Sequence, residues 1–191
     1  MKYKMLVVVD YQNDFVDKAL GFEGAEKLDA GIVRKIYEYE KMGGIIVRTM
    51  DTHFNNYLTT REGKNLPVVH CVYKTPGWEM YGETKKAWDE VSKTSATHSL
   101  CKTSFGVSPG LMLELIDLLK MSNIQTSDID TIEFVGLVSN ICVVSNVVVF
   151  QSAFSEATML VNPNLTNSFD KELHEATMKV LTGLQVKLIE D

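Results

Sequence analysis

Short, wholly apolar runs alternate along this chain with stretches whose apolar residues recur at helical spacing. Tyr3–Val9 (YKMLVVV) predicts a buried strand. Between Gly24 and Met42, Ala25, Leu28, Ile32, Ile36 and Tyr39 return every three or four positions, predicting a helix that Gly43-Gly44 stops. Ile45–Met50 predicts a second strand and Thr97–Cys101 a weaker third. Ser108 followed by Pro109 has the form of an N-cap and a first helical position, opening the helix GLMLELIDLLK. Thr131–Leu137 predicts a strand. Asn140–Phe154 is ambiguous, because VVVF favours strand while the length of the run favours a buried helix. A strand at Thr158–Val161, a helix at Asp170–Thr182 and a last strand at Leu184–Ile189 follow. Alternating β and α elements with fully apolar strands imply a parallel sheet covered on both faces. The expected architecture is a three-layer α/β/α fold with a mostly parallel sheet of about six strands and Rossmann-like topology. No repeat, low-complexity tract or linker divides the chain, so residues 1–191 are expected to form one domain.

Composition narrows this picture. With 191 residues, 45% of them hydrophobic, the chain is long enough for one sizeable core. The net charge is −6 and no basic cluster stands out, which argues against a nucleic-acid partner. The N-terminal apolar run, Met5 to Val9, is too short for a signal peptide or a membrane span, so a cytoplasmic protein is expected. Three cysteines, Cys71, Cys101 and Cys142, are an odd number in a reducing compartment and are not expected to pair.

In open parallel sheets ligands bind beyond the carboxyl ends of the strands. Asp10, Asp51 and Lys102 end the first three strands, and the turn GLVSN ends the next and leads into Cys142. Cys142 has two readings: a small hydrophobe in the core, or a thiolate nucleophile at a helix N-terminus. A free thiol has a pKa of about 8.5, so activation needs help. A lysine at the same edge favours the anion, and a carboxylate accepts the thiol proton and later activates water; Lys102 and Asp10 are placed for these roles. Alternation along the chain turns Cys71 and Cys101 to the opposite face, which assigns both to the core. A second cluster lies in MDTHFNNYLTTREGKNLPVVHC, residues 50–71. Asp51, His53 and His70 are metal-ligand types suited to a divalent first-row ion, and Glu62 adds a more distant oxygen. The competing reading is a polar loop whose histidines cap or hydrogen-bond.

These stretches together, VVVDYQNDF at 7–15, DTH at 51–53, LPVVHC at 66–71, KTSFG at 102–106 and GLVSNICV at 136–143, resemble the isochorismatase-like cysteine hydrolases, and within them the nicotinamidases. The resemblance implies an amidohydrolase that converts nicotinamide to nicotinate and ammonia through a cysteine thioester. It implies Cys142 as nucleophile, Asp10 as general base and Lys102 as the cation that lowers the thiol pKa. It further implies an oxyanion hole from the backbone N–H groups of Val138 and Cys142, with a cis Leu137–Val138 peptide. Asp51, His53, His70 and the additional ligand Glu62 match the metal set, zinc being expected and iron or manganese the alternatives. Phe15 matches a ring-stacking aromatic, and Gln12 a residue supporting the substrate pocket. A small-molecule amide is the implied partner, with no nucleic acid or membrane, and a homo-oligomer is implied. Two departures bear on the substrate. Leu66 and Pro67 stand where nicotinamidases present an aromatic, with Trp78 read as a packing residue, and Ser139-Asn140-Ile141 replaces the usual residues before the cysteine. The alternatives are therefore hydrolysis of another small amide or carbamoyl compound, or a catalytically silent binding protein on the same scaffold.

Overall fold

The computed structural model describes residues 2–190. Among them, six strands form one sheet: β1 (Tyr3–Val9), β2 (Ile45–Asp51), β3 (Thr97–Lys102), β4 (Ile129–Leu137), β5 (Thr158–Asn167) and β6 (Lys187–Leu188). Their order is β3-β2-β1-β4-β5-β6, and every neighbouring pair is parallel. β1 lies in the middle, and its alternation serves both faces. Met5, Val7 and Val9 enter one core cluster while Leu6 and Val8 enter the other, all of them without solvent exposure. Each such side chain contributes about 1.5–3 kcal/mol of burial.

Seven α-helices flank the sheet among the described residues: α1 (Asn13–Val16), α2 (Asp29–Lys41), α3 (Arg61–Asn65), α4 (Gly82–Val91), α5 (Pro109–Met121), α6 (Val144–Ala153) and α7 (Lys171–Gly183). The first core takes Leu115 and Leu119 from α5, Val147 and Phe150 from α6, and Leu181 from α7. The second takes Ile32, Ile36 and Tyr39 from α2, and Ala87, Trp88 and Val91 from α4. One buried charge interrupts β4. Glu133 is buried facing α2, where Lys35 lies 3.3 Å away and the Tyr39 hydroxyl donates to it at 2.9 Å.

Strands β1, β2 and β4 and the helix capped by Ser108 form as expected, and the Ser108 hydroxyl accepts from the Leu111 N–H. The ambiguous stretch 140–154 divides: Ser139–Val143 forms a π-helical turn, and α6 continues from Val144. β5 runs past Val161 to Asn167 because the register shifts opposite Phe134 and Gly136, leaving Pro163, which has no N–H to pair, in the irregular part. The last strand shrinks to Lys187–Leu188. α4 was not visible as a helix in the sequence. Its buried stripe opens with the polar Thr84, and its N-terminal N–H groups are capped from a distance: Asp29 accepts from Glu83 N and Thr84 N, each at 2.9 Å. Cys101 corrects the assignment of that residue to the core. β3 is an edge strand, and the face opposite Leu100 and Lys102 meets solvent there, so Cys101 is exposed while Cys71 is buried.

The strand order reverses between β1 and β4, the place where open α/β sheets take their ligands. Gly136 is required at that point: its φ is +108°, and a Cβ would run into the Val9 carbonyl of β1. The Leu137–Val138 peptide that follows is cis, as the resemblance implied.

Candidate active site

Three strand ends converge at this reversal. Asp10 follows β1 in a left-handed conformation, φ +44°, which costs a non-glycine residue energy and is tolerated best by Asp and Asn. Its N–H donates to Thr49 O at 3.2 Å, and its Oδ1 accepts from the Thr49 hydroxyl at 2.6 Å. Lys102 ends β3, two strands away, and its long side chain extends past Asp51 at the end of β2. Its Nζ lies 2.6 Å from Asp10 Oδ2, 3.6 Å from Asp51 Oδ1 and 3.7 Å from Cys142 Sγ, and donates to Ser104 O at 3.0 Å. Asp10 and Lys102 are wholly buried and Cys142 is 5% exposed. The sulfur, carboxylate and ammonium therefore meet in one place although they are scattered along the chain.

The electrostatics qualify the expectation of a lowered thiol pKa. Burial pushes the Cys142 thiol well up, Lys102 pulls it down, and Asp10 and Asp51 push it up again, so the net direction is upward. Burial likewise raises the Asp10 carboxyl against the pull of Lys102. The ammonium lies nearer Asp10, at 2.6 Å, than Cys142, at 3.7 Å.

The second cluster assembles beside it. Asp51 ends β2, and the backbone of His53 runs parallel to the 71–73 segment: His53 N donates to Cys71 O and Tyr73 N to His53 O, both at 2.9 Å. That bridge sets His70 next to His53. Glu62 arrives on α3, capped by the Thr60 hydroxyl accepting from Gly63 N at 3.0 Å. Gly63 permits the close approach, since a Cβ there would overlap the Tyr57 carbonyl. Asp51 Oδ2 lies 3.0 Å from His53 Nε2 and 3.3 Å from His70 Nε2, while Glu62 Oε1 lies 3.5 and 3.8 Å from the same nitrogens. All four ligand atoms fall within 4.8 Å of one another.

This donor set fits a divalent metal. His53 Nε2 is buried facing the Asp51 and Glu62 carboxylates, and His70 directs Nδ1 to Val68 O at 2.7 Å, which leaves its Nε2 free to ligate. Lys102 and the two histidines hold the Asp51 carboxyl below the usual range despite burial. In the metal-free protein burial alone would lower His53, but Asp51 and Glu62 raise it to about 9. A ligating His must shed that proton. Divalent-metal affinity is therefore expected to rise about tenfold per pH unit up to about 9 and then level off, measured by calorimetry on chelator-stripped protein. A flat profile would remove His53 from the ligand set.

Gln12 and Phe15 stand at the same edge in different capacities. The Gln12 amide is used up on backbone: it donates to Asp51 O and Trp78 O and accepts from Asp51 N at 2.7 Å. It thereby holds the metal-side loop, which is a supporting role. Phe15 is 7% exposed and meets the His70 ring edge-on at 5.5 Å. Trp78 packs against Tyr73 and donates to the Thr52 hydroxyl.

Several supporting residues escaped sequence reasoning. Asn146 is fully buried, donates to Cys142 O and Phe105 O, and accepts from Val107 N, tying the loop after β3 to the cysteine turn. Ser139 pairs with His174 of α7 at 3.0 Å. Asp14 accepts from Cys71 N at 2.7 Å. Apart from Asp14, which belongs to the DYQNDF stretch, nothing in their local sequence marked them.

The isochorismatase domain model matches residues 4–190. In three dimensions the chain is similar to a nicotinamidase/pyrazinamidase from Bacillus subtilis, with a TM-score of 0.85 at 24% identity over all of both chains. It is similar to a pyrazinamidase of Pyrococcus horikoshii in complex with zinc, with a TM-score of 0.79 at 20% identity over 98% of this chain and 99% of that one. It is also similar to an N-carbamoylsarcosine amidase from Thermoplasma acidophilum, with a TM-score of 0.72 at 21% identity over 100% and 96%. At these identities the likeness is one of fold. No curated protein matches the chain, and no described helix is long and apolar enough to cross a membrane.

Proposed function

The chain belongs to the isochorismatase family of hydrolases, and on that premise we propose that it is a cysteine-dependent amidohydrolase whose substrate is nicotinamide. The observation that carries the proposal is the buried contact of Lys102 with both Asp10, at 2.6 Å, and Cys142, at 3.7 Å. A buried lysine is costly to keep, and here it neutralises a carboxylate beside a thiol, an arrangement suited to proton transfer and nucleophilic attack.

Asp10 takes the Cys142 proton as Sγ attacks the carboxamide carbon. The tetrahedral oxyanion accepts hydrogen bonds from Val138 N–H and Cys142 N–H, each such donor being worth about 3 kcal/mol. Collapse breaks the C–N bond, and Asp10 returns its proton to the departing ammonia. Asp10 then takes a proton from water, whose oxygen attacks the thioester carbonyl, and breakage of the C–S bond releases nicotinate and restores the thiol. Lys102 remains an ammonium throughout and keeps Asp10 competent as a base. Asp51, His53, His70 and Glu62 would hold the metal, which supplies a Lewis-acidic anchor for the substrate's ring nitrogen. Phe15 lies beside that anchor. The same reading treats residues 1–191 as one hydrolase domain that assembles with copies of itself in the cytoplasm.

Another small amide or carbamoyl compound is the second reading. It is favoured by Leu66, which stands 38% exposed where nicotinamidases present an aromatic. The test is ammonia release by zinc-loaded protein from nicotinamide, pyrazinamide and N-carbamoyl amines. Nicotinamide is expected to be hydrolysed, to lose turnover on chelator treatment and to regain it with zinc. Nicotinamide left intact while a carbamoyl amine is cleaved would overturn the substrate and keep the chemistry.

A further inference from the structure

A cavity of about 450 Å³ opens beside the metal-ligand cluster, with His53 and Glu62 in its wall. A bare pyridine carboxamide, one six-membered ring with a single amide, fills only part of that space. The remaining space has a defined character. Tyr57 is buried against the His53 ring, with centroids 4.5 Å apart, and closes the inner end. Phe54 and Phe105, 51% and 44% exposed, stand at the outer end on the segments after β2 and β3. Arg61 also lines the cavity and is exposed. Its neighbour Glu62 turns inward to the two histidines, whereas among the described residues the Arg61 guanidinium makes no ion pair or side-chain hydrogen bond. Apart from the metal-ligand histidine, Arg61 is the cavity's one basic residue.

Resting on the amidohydrolase reading, we propose that the preferred substrate is an aromatic carboxamide bearing an acidic substituent. Its carboxylate lies toward Arg61, and its amide end toward the Thr103–Phe105 wall that continues the chain from Lys102. The guanidinium offers paired donors that match a carboxylate, and Phe54 and Phe105 line the same cavity. The apolar walls accept the ring, so size, ring and charge are all accounted for by one ligand class.

The probe is the monoamide of pyridine-3,5-dicarboxylic acid, compared with nicotinamide by ammonia release from the zinc-loaded protein. The acid is expected to show a kcat/KM about tenfold or more above that of nicotinamide, with a KM that rises with ionic strength. Arg61→Gln is expected to reduce the acid-to-nicotinamide ratio by about 10- to 100-fold, and Arg61→Lys to restore part of it. Wild-type kinetics alone bear on the point, so a misfolded variant does not stall the test. If nicotinamide is hydrolysed while the acid is not, or if Arg61→Gln leaves the ratio unchanged, this inference falls and the amidohydrolase reading stands. If neither amide releases ammonia, the reading falls and this inference falls with it.

Discussion

Replacing Cys142 with alanine is expected to reduce ammonia release from nicotinamide by about a millionfold, the scale seen when a covalent hydrolase loses its nucleophile. The change removes one buried sulfur from the side of Lys102 and leaves the 2.6 Å Lys102–Asp10 pair intact. The fold should therefore persist, with a cost of about 1 kcal/mol or less in stability. Thermal melting and circular dichroism check the fold, and a coupled ammonia assay checks the rate. Cys142→Ser separates shape from chemistry, since its hydroxyl is far harder to ionise in a site that already pushes the thiol upward. Retention of more than a few per cent of turnover by the alanine variant would rule out the thioester route.

Asp10→Asn is the second large effect, and it acts on both rate and stability. Without a base the thiol has nowhere to send its proton, since burial pushes its pKa upward. Loss of a positioned base costs about 10²- to 10⁴-fold. The substitution also strips a wholly buried ammonium of its nearest counter-charge. Breaking a buried pair on one side costs about 3–5 kcal/mol; Ser104 O at 3.0 Å and Asp51 at 3.6 Å still hold the ammonium, so the lower end is expected. In the wild type, burial raises the Asp10 carboxyl, and the base is active only when ionised. The acid limb of kcat/KM should accordingly fall above the usual carboxylate range and vanish in Asp10→Asn. An unchanged acid limb in the variant would assign that titration, and the base, to another group.

β1, β2 and β4 were legible because they are largely buried on both faces: a run such as LVVV has no solvent side and needs no context to be recognised. The Ser108-Pro109 cap was legible for a related reason, since a cap is satisfied within its own turn. α4 was not, because Asp29 of α2 supplies the cap, and a polar Thr84 stands where the apolar stripe should begin. β5 past Val161 was hidden by Pro163, which ends a regular strand but not one with a register shift. Cys101 was placed in the core by alternation alone, and alternation does not reveal that β3 lies at the sheet edge.

For the site, the residue types and their chain positions were sufficient to name Asp10, Lys102, Cys142, Asp51, His53, His70 and Glu62 as candidates. Alternating patterns determined the layered fold, and that fold's general rule placed polar strand ends at one edge. What the amino-acid order could not contain is the state of those groups. Whether the thiol rests protonated depends on how completely water is excluded and on distances of 2.6 to 3.7 Å between side chains two and three strands apart. Solvation and Coulomb energies are set by packing and separation, so the protonation of the site, the cap on α4, the exposed Cys101 and the cavity beside Arg61 were decided only by the tertiary structure.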